Sequence, residues 1–129
     1  MPLDPSDHIA VQQLYAAYNF AADQGNAKAF AECFPPDGVL QLGPMRIQGQ
    51  EALTEFAAGI GGGIRHLVTN VLVDGEGDVA TGSAYLIVLA TDSSPIAIRT
   101  SGQYVDRLVR ASDGWRFSER VFTSDTPRG

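Results

Sequence analysis

Cysteine, histidine and long apolar runs are all scarce in this chain of 129 residues, and each shortage excludes a class of protein. The one cysteine, Cys33, cannot form an internal disulfide, and its apolar neighbours indicate a buried thiol. Two histidines without a paired His or Cys spacing give no recognisable zinc or iron site. No run approaches the roughly 20 apolar residues that a membrane-spanning helix needs, so we expect no membrane partner.

Basic residues are also few. Nine Lys and Arg against 15 Asp and Glu leave a net charge of −6, and the scattered basic residues form no footprint for a phosphate backbone. We therefore expect no nucleic-acid partner. The glycine-rich residues 59–63 lack the Lys-Ser/Thr of a phosphate-binding loop, so an enzyme with this sequence is expected to need no cofactor. The first residues show no basic stretch followed by an apolar one, which predicts a cytoplasmic protein.

The chain length and composition predict a single domain over residues 1–129. Its 44% hydrophobic and 19% charged residues are typical of a soluble globular protein. Apolar residues recur at helical spacing in three segments. The predicted helices cover residues 6–23, 27–34 and 50–58. Ser6 or Asp7 is expected to cap the first helix, Gly25 to end it, and Pro35 to stop the second.

Strand-like patterns make up the rest of the chain. Two short segments, residues 39–42 and 45–48, predict a hairpin, and longer runs rich in β-branched residues predict strands over 65–73, 79–90, 96–110 and 115–123. This order of elements predicts an α+β fold with three helices on one face of a mainly antiparallel sheet. Long strands in a twisted sheet curl, so we expect a cone with a small-molecule pocket.

Three segments carry a family resemblance over nearly the whole chain. They are the helical run from Tyr15 to Asp23, the strand start Arg65-His66-Leu-Val-Thr-Asn70, and the late Asp113-Gly-Trp-Arg-Phe run. Together with the order of elements they resemble the SnoaL-like branch of the NTF2-like superfamily. That branch includes scytalone dehydratase, the bile-acid 7α-dehydratases, hexachlorocyclohexane dehydrochlorinase and the SnoaL-type polyketide cyclases. The resemblance implies an NTF2-like cone.

The resemblance also implies site residues. The dehydratases and the dehydrochlorinase place an aspartate late in the first helix and a histidine early in the first long strand, which match Asp23 and His66 here. The bile-acid enzymes have a tyrosine at the position of Tyr18. The dehydrochlorinase has a tyrosine and an asparagine at the positions of Tyr15 and Asn70. Asp23, His66 and Tyr18 are the expected catalytic residues, and the other two are expected to bind substrate.

A carboxylate beside a histidine has a chemical use that is independent of any family. An imidazole that accepts a proton through one nitrogen needs the N–H of the other anchored, and a carboxylate anchors it while stabilising the imidazolium. Asn19 and Asp23 lie four residues apart on one helix face, with Tyr15 one turn back, whereas Tyr18 lies about 140° away. Strict strand alternation predicts one shared face for His66, Val68 and Asn70.

Further residues are candidates for contacting a substrate. Tyr85 and Tyr104 lie mid-strand, where they either donate to a substrate carbonyl or fill the core. Arg120 occupies a strand position where some relatives carry a substrate-binding arginine, and an exposed ion pair is the alternative. Asn19, Leu42, Phe56 and Val68 are expected to complete the pocket wall.

The leading hypothesis is a cofactor-independent lyase, similar to a dehydratase, or a cyclase, acting on a cyclic or polyketide-like molecule in an apolar cone. An isomerase or epoxide hydrolase is an alternative, although the first hairpin lacks the aspartate of ketosteroid isomerases and Arg99-Thr-Ser101 lacks the acid of an Arg-x-Asp motif. A non-catalytic small-molecule-binding or assembly module is another alternative. An apolar sheet face predicts a homo-oligomer, either dimer or trimer.

Overall fold

The computed structural model describes residues 2–126, which form three α-helices and six β-strands. The helices are α1 (Pro5–Gln24), α2 (Ala27–Ala31) and α3 (Gln50–Ala58). The strands are β1 (Val39–Leu42), β2 (Met45–Gln48), β3 (Ile64–Glu76), β4 (Val79–Ala90), β5 (Ala97–Ala111) and β6 (Gly114–Ser124). The first hairpin and α3 match the predicted ranges residue for residue. None of the helices in this part of the chain combines the length and apolar character that a membrane crossing requires.

The strands form one six-stranded mixed sheet in the order β2-β1-β6-β5-β4-β3. Neighbouring strands are antiparallel except for β1 and β6, which pair in parallel from Val39 opposite Glu119 to Leu42 opposite Phe122. The four long strands therefore form the predicted meander, and the early hairpin extends the sheet beyond β6. This arrangement confirms the α+β class.

Helix α1 begins one residue earlier than the hydrophobic periodicity predicts. Asp4, rather than Ser6 or Asp7, is its N-cap, and Pro5 occupies the first helical position, where a missing N–H costs nothing. The Asp4 side chain accepts from the Asp7 N–H, and the Asp7 side chain accepts from the Asp4 N–H, forming a capping box. At the other end Gly25 adopts φ 69°, which confirms it as the predicted C-cap.

The main core lies between the helices and the inner face of the sheet. Its most deeply buried large side chains come from all layers of the fold: Tyr15, Phe30, Leu40, Leu53, Leu108 and Phe117. Cys33 is 5% exposed in this core, and burial raises the pKa of its thiol to about 11. The structure therefore confirms a buried, protonated thiol.

Three β-bulges decide which side chains of the long strands face the core. The register shifts in β3 between Thr69 and Leu72, where Asn70 has φ 58°, in β5 at Arg99, and in β6 at Ser118. A bulge adds one residue to a strand, so the positions that face inward change parity beyond it. In β6, Trp115 and Phe117 are buried before the bulge and Arg120 is buried after it.

The outer face of the sheet carries several exposed apolar side chains. Leu72, Tyr85, Val105 and Ile98 are between 54% and 73% exposed. Exposed apolar faces of this kind are typical of contacts between subunits. The homo-oligomer stays a prediction.

Candidate functional site

A cavity of about 760 Å³ lies between the inner face of the sheet and the helices. Most of its wall is apolar: Phe30, Leu40, Leu42, Phe56, Ile60, Ile64, Leu86, Val88 and Phe122. Polar side chains reach it from α1, β3, β5, β6 and the segment after β6: Tyr18, His66, Tyr104, Arg99, Thr100, Ser124 and Thr126. An apolar cavity with a few convergent polar groups is the usual form of a small-molecule site.

Asp23 and His66 form a hydrogen-bonded pair at this wall. The Asp23 Oδ1 lies 2.6 Å from the His66 Nδ1, and both carboxylate oxygens lie 3.1 Å from the His66 backbone nitrogen. Because β3 is an edge strand, the backbone N–H of His66 has no strand partner on that side, and Asp23 accepts its hydrogen bond. The acid in the last turn of α1, unfavourable against the helix dipole, thus has a defined partner on β3.

The carboxylate decides which imidazole nitrogen carries the proton. A carboxylate only accepts hydrogen bonds, so the neutral ring must donate through Nδ1. The lone pair then resides on Nε2, which has no hydrogen-bond partner among residues 2–126. His66 lines the cavity and is 13% exposed, so this nitrogen is available to a molecule bound there. The geometry is that of an oriented general base.

Two tyrosine hydroxyls share the cavity with His66. The rings of Tyr18 and Tyr104 meet edge to face, with centroids 6.1 Å apart. Burial raises the pKa of both phenols, an effect that the Arg120 charge opposes. Both hydroxyls are therefore protonated at neutral pH and can donate to an oxygen of a bound molecule.

Beneath these tyrosines lies a sealed cluster of Tyr15, Asp106 and Arg120. The Arg120 Nε donates to the Asp106 Oδ1 at 3.1 Å, the Tyr15 hydroxyl donates to Asp106 Oδ2, and Asp106 and Arg120 are both fully buried. The guanidinium carbon of Arg120 lies 3.5 Å from the ring centroid of Tyr104 and 4.4 Å from that of Tyr18. Burial raises the pKa of Asp106, although Arg120 and Tyr15 act in the opposite direction.

The sealed cluster differs from the prediction for two of its members. Tyr15 and Arg120 were expected to contact a substrate, yet neither lines the cavity. Tyr15 points at Asp106 instead. Arg120 follows the Ser118 bulge, which turns it inward and onto Asp106, so it is neither a cavity residue nor an exposed ion pair.

The other predicted substrate-binding residues divide between the cavity and the rest of the fold. Tyr104, Leu42 and Phe56 line the cavity. Asn19 is buried on α1 outside the lining, and its Oδ1 has no partner within the described residues, while Val68 packs against the core. Asn70 and Tyr85 share a separate groove of about 360 Å³ on the outer face, because the bulge at Asn70 ends the inward alternation that began at His66.

Sequence reasoning named Arg99 only as part of a motif that lacks its acid, and it did not name Asp106. Asp106 had a signal, because it alternates with Tyr104 and Leu108 and therefore interrupts an apolar face. Arg99 had none, since its place on the cavity wall depends on the bulge in β5. Within residues 2–126 no three His, Cys, Asp or Glu side chains cluster in a way that could hold a metal ion.

The mixed sheet, its helices and the cavity define an NTF2-like fold. The crystal structure of an NTF2-like protein with a cystatin-like fold from Novosphingobium aromaticivorans is similar, with a TM-score of 0.88 at 24% identity, covering 96% of this chain and 85% of that one. Residues 5–121 match the SnoaL-like domain, and the chain belongs to that family.

Other solved structures are similar at higher identity. Rv3472(D26N), a protein of unknown function from Mycobacterium tuberculosis, is 30% identical with a TM-score of 0.87, covering 96% of this chain and 78% of that chain. A protein from Catenulispora acidiphila, solved in complex with S-DNPA, is 27% identical with a TM-score of 0.81, covering 95% and 96%. No curated protein matches significantly.

Proposed function

We propose that this protein is a cofactor-independent acid–base enzyme that removes a carbon-bound proton from a cyclic or polyketide-like small molecule, as a dehydratase-like lyase or a cyclase. The observation that carries the proposal is the 2.6 Å contact between Asp23 and His66 on the wall of an apolar cavity. Membership of the SnoaL-like family and a similar protein solved in complex with S-DNPA support a small-molecule ligand.

Each polar group has a role in this reaction. The His66 Nε2 accepts the proton from carbon, and Asp23 stabilises the imidazolium that results. The Tyr18 hydroxyl donates to the substrate oxygen on which negative charge develops. In a dehydratase, the enolate then expels a hydroxyl group, which takes the proton from the His66 imidazolium and leaves as water. In a cyclase, the enolate carbon attacks a second carbonyl of the same molecule, and the alkoxide that forms takes the proton from the His66 imidazolium.

The cavity contributes to the rate acceleration together with the acid–base groups. General acid–base catalysis contributes typically about 10²–10⁴-fold, and positioning in a water-poor cavity supplies much of the remaining acceleration. The volume of about 760 Å³ suits a molecule of two or three fused rings. Isomerisation begins with the same proton abstraction, so an isomerase is a variant of this proposal.

The test follows proton abstraction directly. Fused-ring ketones, beginning with 2-tetralone, are incubated with the protein in D₂O, and the loss of their α-hydrogen signals is followed by NMR. We expect the wild type to accelerate exchange and His66→Gln to lose at least about 10²-fold of that acceleration. His8→Gln is the matched control, because His8 is exposed on α1. Exchange that survives in His66→Gln would remove His66 as the base.

Two other outcomes favour the alternative functions. A ketone that binds to the wild type, seen as shifted protein resonances, without faster exchange would favour a non-catalytic binding module. Incorporation of oxygen from labelled water into an epoxide analogue would favour hydrolysis. No carboxylate lies among the described lining residues, and the one nearest to His66 is engaged by its ring and backbone N–H groups.

A further inference from the structure

The bulge in β5 places two consecutive residues on the cavity wall. Val88 of β4 pairs with Thr100 and Leu89 pairs with Ile98, which leaves Arg99 as the extra residue. In a regular strand Arg99 and Thr100 would point to opposite faces of the sheet, yet both line the cavity. Bulges commonly re-aim a side chain in this way, and here the re-aimed side chain is a permanent cation.

Arg99 has no acidic partner within residues 2–126, unlike three other arginines of the structure. Arg110, Arg116 and Arg120 each form an ion pair with an aspartate, whereas Arg99 forms none within residues 2–126. It is the only Lys or Arg on the described cavity wall, and no Asp or Glu lies there to neutralise it. A guanidinium on a mostly apolar wall that carries no described carboxylate is suited to a negatively charged group of the ligand.

The surroundings of Arg99 provide further hydrogen-bond donors. Thr100, Ser124 and Thr126 bring hydroxyl groups to the same cavity, and the Ser124 Oγ accepts from the backbone N–H of Thr126. One arginine with a few hydroxyls matches a monoanion such as a carboxylate.

The register of the sheet sets the backbone separation between His66 and Thr100, the neighbour of Arg99. His66 pairs with Val88, and Val88 pairs with Thr100, so the three residues form one row across β3, β4 and β5. Two strand spacings separate the ends of that row by about 10 Å. Val88, which also lines the cavity, presents an apolar side chain between them.

We propose that Arg99 recognises a carboxylate on the substrate and thereby fixes the reacting carbon at His66. The substrate class is then an apolar ring system that carries an acidic C–H at one end and a carboxylate at the other. This inference rests on the proposed function for the identity of the reacting end. The recognition of the carboxylate is separable from it, because Arg99 takes no part in proton transfer.

The test compares two ligands of nearly the same shape, one anionic and one neutral. Binding of 2-naphthoate and of its neutral isostere 2-naphthamide is measured by isothermal titration calorimetry with the wild type, Arg99→Gln, Arg107→Gln and His66→Gln. Arg107 is the matched control, since it is an exposed arginine of the same strand that does not line the cavity. We expect the wild type to prefer naphthoate by about tenfold and Arg99→Gln to bind both ligands with the affinity of the amide.

The remaining variants separate this inference from the proposed function. Arg107→Gln and His66→Gln should keep the tenfold preference, so recognition would stand even if proton abstraction failed. An unchanged amide affinity in Arg99→Gln shows that the cavity is intact. The inference is overturned by equal affinities in the wild type, by a preference that survives Arg99→Gln or disappears in His66→Gln, or by the failure of both ligands to bind.

Discussion

Two carboxylates of this protein each hold a nitrogen-bearing side chain, yet their surroundings are opposite. Asp23 is 16% exposed and its partner His66 is 13% exposed, at the wall of the cavity. Asp106 and Arg120 are both 0% exposed, beneath the tyrosines that line the same cavity. Hydrogen bonds at 2.6 Å and 3.1 Å hold the two pairs. Both pairs are hydrogen-bonded, but only the first can be reached from the cavity.

The difference shows what a carboxylate can do with each partner. An imidazole gains and loses a proton near neutral pH, so a pair that includes one and reaches a cavity can perform chemistry. A guanidinium keeps its proton in proteins, so the sealed pair has no proton to pass on. Arg120 instead holds a fixed charge against the rings of Tyr18 and Tyr104. We therefore expect activity to depend on the first pair and stability on the second.

Removing one member of the sealed pair tests whether that pair stabilises the fold. Arg120→Leu leaves the Asp106 carboxylate buried without its cation, and we expect the free energy of unfolding to fall by about 3–5 kcal/mol. Urea denaturation followed by Trp115 fluorescence measures the loss. His66→Gln in the same experiment should change the free energy of unfolding by less than about 1 kcal/mol, because its ring is not fully desolvated.

A double variant shows whether that loss comes from the stranded charge. Asp106→Leu combined with Arg120→Leu removes both charges, and it should recover much of the stability that Arg120→Leu loses. If Arg120→Leu proves as stable as the wild type, the sealed pair does not have the structural role assigned to it.

A substitution of Asp23 tests whether the cavity pair supports catalysis. Asp23→Asn can donate to the imidazole, which favours the wrong tautomer and removes the charge that stabilises the imidazolium. We expect the rate of α-hydrogen exchange to fall by about 10²-fold, which corresponds to about 2.7 kcal/mol. Long-range ¹H–¹⁵N spectra of the ring should show the shift from the Nδ1–H to the Nε2–H form.

The control for this substitution is again stability. Because Asp23→Asn exchanges atoms of nearly equal size, the free energy of unfolding should change by less than about 1 kcal/mol. An exchange rate that falls only in proportion to the folded fraction would mean that Asp23 supports the structure and not the base.

Much of the fold could be predicted because its signals are local. Helix periodicity, turn residues and β-branched runs placed the elements near their observed ends, and the first hairpin and α3 match fully. The family resemblance predicts Asp23 and His66 as catalytic residues, but residue types alone do not show that the two side chains touch. It depends on how α1 crosses the edge strand β3, which is a property of the packed molecule.

Two of the side chains whose positions were predicted differently lie at or just beyond a bulge. Asn70 faces outward, although simple alternation places it on the same face as His66. Arg120 faces inward onto Asp106 and Arg99 reaches the cavity, in each case because of a bulge. A bulge adds one residue to a strand that can be of almost any type, so the sequence pattern carries little trace of it. One extra residue changes the face of every side chain that follows.

A third carboxylate pair joins Asp7, which is 8% exposed, to the partly exposed Arg110, and we expect it to contribute less to stability than the sealed pair. Asp7 Oδ1 accepts from the Arg110 Nη1 at 2.8 Å and from the Trp115 Nε1 at 3.3 Å. The hydrogen bond to Arg110 lowers the pKa of Asp7 from its ordinary 3.8 to about 2. Since the pKa is lower in the folded state, this pair stabilises the protein fully above about pH 4, and its contribution disappears as the pH falls towards about 2.

Urea denaturation of the wild type and Asp7→Asn across this pH range measures that contribution. The wild type should be the more stable protein at about pH 5, and the two should converge near pH 2, where Asp7 becomes protonated. Asp78→Asn is the matched control, because Asp78 accepts from the same arginine but is 82% exposed. Its curve should stay parallel to that of the wild type, since solvent screens an exposed pair. A constant difference between wild type and Asp7→Asn at every pH would show that the hydrogen-bond geometry at Asp7 is responsible and that its charge is not.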